Sequence, residues 1–119
     1  MLIDLVLPYP PTVNTYWRHR GSTYFISEEG KRYRRAVALI VRQQRLKLSL
    51  SGRLAIKVIA EPPDKCRRDL DNILKAPLDA LTHAEVLIDD EQFDEINIVR
   101  GQPVSGGRLG VKIYKIESE

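Results

Sequence analysis

The strongest constraint on the fold is a change of apolar period along the chain. In "LIDLVLP", residues 2–8, Ile3, Leu5 and Leu7 fall on one side of an extended segment. In "RLAIKVIAE", residues 53–61, Leu54, Ile56, Val58 and Ala60 do the same, so both stretches read as strands with one buried face. Elsewhere the period lengthens to that of a helix. Tyr33, Val37, Ile40 and Val41 form one apolar stripe behind Ser27, a candidate N-cap followed by Glu28 and Glu29 at the positive end of the helix dipole. That helix is predicted to run to about Leu48 and to stop before Gly52. From about Leu70 to His83, residues Leu70, Leu74, Pro77 or Leu78, and Leu81 repeat at helical spacing, with Pro77 expected to kink the axis. Phe93–Arg100 and Arg108–Ile116 read as two more strands, joined by "GQPVSGG". "PYPPTVNTYWRHRGSTYF", residues 8–25, shows no sustained period and reads as a long loop. The order β-α-β-α-β-β predicts an α+β fold. One domain over residues 1–119 is expected, with two helices packed on a small mixed sheet of about four strands.

A chain of 119 residues buries roughly 65% of its unfolded surface and needs no covalent staples. The single Cys66 excludes an internal disulfide, and with only His19 and His83 beside it the chain lacks the ligands of a closed zinc site. No apolar run approaches the ~20 residues of a membrane span, and no basic-then-apolar leader opens the sequence. A cytoplasmic protein is expected, with no membrane partner and no small-molecule organic cofactor. The net charge of +3 conceals a division. Residues 14–53 hold ten Lys or Arg against two acids, a local balance of +8, whereas residues 58–99 hold four bases against eleven acids, a balance of −7. This fits two complementary lobes, or a polyanion footprint beside a metal-charged pocket. Composition does not choose between them.

The segment "DKCRRDLDN", residues 64–72, concentrates that question. Residues two apart on an α-helix diverge by about 200°, so Asp69 and Asp71 converge only if Asp69 is still extended or at the N-cap while Asp71 is in the first turn. Lys75 then lies one turn beyond Asp71. In one reading Asp69 caps the helix, worth about 1 kcal/mol, and Asp71 pairs with Lys75 for about 0.3–0.5 kcal/mol. In the other, Asp69 and Asp71, joined by the acids of "IDDEQ" at Asp89 and Asp90, offer hard oxygen ligands to Mg²⁺. Lys65, Arg67 and Arg68 then hold a phosphodiester, which explains both signs of charge at once. Three carboxylates within about 5 Å repel by roughly 3 kcal/mol per pair at an effective dielectric near 20, a penalty that a divalent cation removes. Upstream, Asn14, Arg18 and Arg20 are candidate nucleic-acid contacts, interleaved with Tyr16 and Trp17. Those aromatics either stack on unpaired bases or anchor the loop. Arg34, Arg35, Arg42 and Arg45 form either a solvated helix face or a DNA track.

Three stretches, "PYPPTVNTYWRH", "CRRDLDNILKAPLDALTHAEVLIDDEQ" and "GGRLGVKI", resemble the RusA family of Holliday-junction resolvases, collinearly over nearly the whole chain. The combination of R-D-L-D-N, a following Lys, D-A-L and L-I-D-D is specific where each piece alone is weak. The resemblance implies a small homodimeric endodeoxyribonuclease acting in recombination and DNA repair. Such an enzyme binds four-way junction DNA and nicks two strands symmetrically, using Mg²⁺ or, in its place, Mn²⁺. Carried over by position, the family's metal ligands fall on Asp69, Asp71 and Asp90, its catalytic lysine on Lys75, and Asn72 completes the motif as a substrate-positioning residue. Two rival readings are a non-catalytic basic DNA-binding module and a small nucleotide phosphohydrolase.

Overall fold

The computed structural model describes residues 2–116; residue 1 and residues 117–119 of the predicted domain lie outside it. Strand β1 is Leu2–Pro8, followed by a short helix α1 (Val13–Tyr16) and the strands β2 (Trp17–Arg20) and β3 (Thr23–Ile26). Helix α2 (Glu28–Gln43), strand β4 (Leu54–Glu61) and helix α3 (Lys75–His83) come next, then β5 (Phe93–Arg100) and β6 (Arg108–Lys115). Two 3₁₀ turns, Leu70–Ile73 and Asp90–Gln92, flank α3 in the chain.

Four strands form one mixed sheet in the order β1-β6-β4-β5, antiparallel except for the parallel pair β4–β5. The period-two residues line up in rows across it. Leu7, Leu109 and Ala60 share one row, Leu5, Val111 and Val58 the next, and Ile3, Ile113 and Ile56 the third, all buried. This register is set by the pattern itself, because a slip of one residue would turn every one of these side chains to solvent. Val37 and Val41 of α2 and Ala80 and Leu81 of α3 join the same core. The expected α+β class and its four-strand mixed sheet are therefore present.

Four local expectations are corrected. Residues 8–25 are not a structureless loop: they hold α1 and most of a β2–β3 hairpin whose turn is Gly21-Ser22, with Gly21 at φ +61°. The expected element order lacked these pieces. Helix α2 ends at Gln43 rather than near Leu48, and the chain beyond it turns through positive φ at Arg45 and Ser49. The second helix is split, with a 3₁₀ turn over 70–73 and an α-helix only from Lys75. Pro77 accordingly stands in the first turn of α3, where its missing N–H is one the helix leaves unpaired anyway, and no kink is called for.

Ser27 caps α2 as expected, its side chain accepting from the Gly30 N–H at 2.9 Å. Gly30 also fixes how α2 meets the chain before it. A Cβ there would lie 2.8 Å from the Tyr16 carbonyl oxygen and 2.6 Å from Ile26 Cγ1. Helix propensity favours Ala by about 1 kcal/mol, but the backbone oxygen has no rotamer to escape into, and such overpacking costs about 1–3 kcal/mol. Gly30→Ala is expected to lower the melting temperature by several degrees. A rise would show that α2 stands off freely from Tyr16.

Candidate active site

Parallel neighbours require a crossover, and the crossover from β4 to β5, residues 62–92, carries all the predicted site residues except Asn14, Arg18 and Arg20. Its first part is a braced loop. Arg68 Nη1 donates to Asp64 Oδ1 at 2.7 Å and to the Cys66 carbonyl at 3.2 Å, and its guanidinium lies 5.7 Å from the Tyr9 ring centroid. Arg68 first, and then the Cys66 N–H, hold the Asp64 carboxyl well below the usual range. Arg67, Arg68, Asp69 and Asn72 line a shallow cleft of about 300 Å³, closed by Thr12 and Ile73. Lys65 faces a neighbouring cleft with Arg100.

Asp69 occupies the N-cap position of the 70–73 turn, extended at φ −93° and ψ 130°, yet its side chain makes no capping bond. Asp71 follows in the first turn. Both are exposed, and among the described residues neither carboxylate takes a hydrogen bond or an ion pair. The capping role and the Asp71–Lys75 helix pair are thus both unrealised. Lys75 Nζ lies instead 3.7 Å from Asp90 Oδ2. Asp90 opens the second 3₁₀ turn, which Asp89 caps through a bond from the Glu91 N–H and which Gln92 ties back to the Ile88 and Asp89 N–H groups. Burial, first, and then the adjoining Asp89 push the Asp90 carboxyl above its ordinary value, against the pull of Lys75. Asp89 is itself held low, first by the Glu91 N–H.

The structure therefore brings Lys75 to Asp90 and leaves Asp69 and Asp71 as free carboxylates. Among the described residues no three His, Cys, Asp or Glu side chains are grouped to hold a metal ion. The chain leaves β4 at one end and enters β5 at the other. The Arg68 carbonyl is bonded by Arg100 at the end of β5, Asp90 precedes that strand's first residue, and Lys75, four residues after Asp71, reaches from α3 to Asp90.

One cluster escaped the sequence reading. Asp79, one turn beyond Lys75 on α3, accepts from the Tyr16 hydroxyl and, at 2.8 Å, from Arg34 Nε. Arg34 Nε is also 3.1 Å from the Tyr16 oxygen, and its guanidinium stands 5.9 Å from the Trp17 ring. Arg34 is thus an internal tie between α2 and α3, neither solvated face nor DNA track. Tyr16 is fully buried, with Trp17 packed edge-on at 5.6 Å, so this aromatic pair anchors the chain and does not present to bases. Asn14 is exposed on α1, and Arg18 and Arg20 are exposed on β2. No helix among the described residues is long and apolar enough to cross a membrane.

The family model described as Endodeoxyribonuclease RusA matches residues 8–114. The chain is 59% identical over 115 residues to the crossover junction endodeoxyribonuclease of Enterobacteria phage HK97, covering 97% of this chain and 96% of that protein. It is 38% identical over 116 residues to the crossover junction endodeoxyribonuclease of Escherichia coli strain K12, covering 98% and 97%. With the corresponding protein of Enterobacteria phage 82 the identity is 39% over 115 residues, covering 97% and 96%.

Proposed function

The chain belongs to the RusA endodeoxyribonuclease family, and from that premise we propose that it resolves four-way DNA junctions by paired, symmetric nicking. The reaction is metal-dependent phosphodiester hydrolysis leaving 5′-phosphate ends, in recombination and repair. Two cuts related by a two-fold axis call for two copies of the chain, so the working form is a homodimer.

What supports this reading is the Lys75–Asp90 contact, made across the crossover rather than with Asp71, which is nearer in sequence. A partly buried carboxylate pushed toward neutrality, beside an ammonium, is costly to the fold and typical of a working site. Mg²⁺ is commonly held by one or two carboxylates together with substrate phosphates. Asp69 and Asp71, exposed and without partners among the described residues, and the partly buried Asp90 are hard oxygen donors that would hold such a cation together with a substrate phosphate. When bound, the cation supplies Lewis acidity toward the scissile phosphate. Lys75 places positive charge where the phosphoryl oxygens gather negative charge, and Asn72 offers an amide to the same strand. Lys65 and Arg67 hold flanking phosphates, while Arg68 is braced by Asp64 to face the cleft it lines. Asn14, Arg18 and Arg20 extend the contact along the backbone.

The test is a synthetic four-way junction against a linear duplex of matched sequence, each with and without Mg²⁺, with products mapped on both strands. Symmetric paired nicks in the junction alone, only with metal, are expected. Junction binding without any nicking would leave a DNA-binding module, and turnover of free nucleotides without junction preference would leave a phosphohydrolase.

A further inference from the structure

The β2–β3 ribbon is not used by the site around Lys75 and Asp90. Its register pairs Arg18 with Phe25 and Arg20 with Thr23 on one face, and Trp17 with Ile26 and His19 with Tyr24 on the other. Trp17 and Ile26, at the root, pack against the core, and the Ser27 N–H closes that root on the Tyr16 carbonyl at 2.9 Å. Beyond the root no described residue covers the ribbon. Tyr24 is 73% exposed and Phe25 43% exposed. As neighbours in a strand they point to opposite faces, so each face presents one uncovered aromatic. Each also sits across from a nitrogenous partner. Phe25 opposes Arg18, and the His19 ring lies 5.6 Å from the Tyr24 ring, tilted by 48°.

The ribbon contains no acidic residue, while Arg18 and Arg20 both stand on it. A second copy meeting this surface through a two-fold axis would bring the same two cations against themselves, which disfavours self-association here. Cations interleaved with open aromatic faces instead suit nucleic acid whose bases are out of the stack, because every base offers a π-face and every nucleotide a phosphate. We propose that β2–β3 is a DNA-engaging ribbon. Tyr24 stacks on a base left unstacked where the strands cross, and Arg18 and Arg20 hold the adjoining phosphates. This rests on the junction reading above and adds to it the element and the side chain that sense the crossover.

The experiment uses the full chain without divalent metal, so that DNA stays intact, and a junction carrying the fluorescent base aminopurine at the crossover. Wild-type protein should bind the junction in preference to linear duplex and change the emission. Tyr24→Ala should weaken junction binding by roughly tenfold and abolish the emission change, with duplex affinity held within about twofold. Tyr24→Phe should restore both readouts. Replacing Arg18 and Arg20 together by Gln should weaken both DNAs and lower the salt slope by about two. A Tyr24→Ala protein that matches wild type in affinity and emission overturns the stacking role while leaving the nuclease reading intact. Wild-type protein with no junction preference overturns both. Altered sedimentation of Tyr24→Ala with an unchanged emission response assigns the ribbon to self-association, and that too overturns the proposal.

Discussion

Asp90→Asn should abolish junction cleavage while leaving junction binding nearly intact. On the proposed metal-dependent mechanism, loss of one ligand oxygen removes several kcal/mol of transition-state stabilisation. At about 1.36 kcal/mol per tenfold, that is a fall of roughly a thousandfold or more in cleavage rate. Affinity, in contrast, comes mainly from cations meeting phosphates. Removing an anion from that surface should leave the dissociation constant within about threefold, or tighten it slightly, with the salt slope unchanged.

The same substitution should not cost stability, and this separates a working carboxylate from a structural one. The Lys75–Asp90 pair spans 3.7 Å with side chains 46% and 29% exposed, a geometry worth less than about 1 kcal/mol. Against it stands the burial that raises the Asp90 carboxyl's affinity for a proton. A folded-state value above the unfolded one means that the ionised form is carried at a cost at neutral pH, and the neutral amide removes that cost. Thermal melting of Asp90→Asn should therefore match or exceed wild type. Cleavage at the wild-type rate would remove Asp90 from the site. Lost cleavage together with a much lower melting temperature would make its role structural.

What the sequence showed, and what it hid, follows the range of the interactions. Strands β1, β4 and β6 were legible because a one-sided sheet writes period two directly into its residues, while β5, exposed over most of its length, lacks that buried alternation. The family pattern pointed to Lys75 and Asp90, but their contact was not legible, since it depends on how the chain between them returns through α3 within the crossover. The β2–β3 hairpin could have been found. Gly21-Ser22 between two short extended runs is a two-residue hairpin turn, masked by the irregular, proline-rich stretch that precedes it at 8, 10 and 11. The role of Arg34 was hidden for a different reason. Helical periodicity correctly places it off the main apolar stripe, yet α3 approaches that flank and brings Asp79 to it. Periodicity reports an element's own faces. It does not report which face a later element will cover.

That Asp79 cluster carries the second large effect. Asp79→Ala should destabilise the fold by about 2–3 kcal/mol. Removing one partner from a buried ion pair costs about 3–5 kcal/mol; here the Arg34 and Asp79 side chains retain 22% and 19% exposure, so water recovers part of it. The Tyr16 hydroxyl, on a fully buried residue, also loses its acceptor. For a chain of this length the melting temperature should fall by on the order of 10 °C. Asp79→Asn keeps an acceptor in place and should fall less. Tyr16→Phe, which leaves the Arg34 pair standing, should cost only about 1 kcal/mol. The ordering of the three carries the argument, because it follows from how many partners each change strands. Asp79 joins α3 to α1 and α2 one turn beyond Lys75, so its loss should also slow cleavage at temperatures where the variant is still folded. An Asp79→Ala protein that melts within about 2 °C of wild type would show that packing alone holds α3, and that Arg34 and Tyr16 find water as readily as they find the carboxylate.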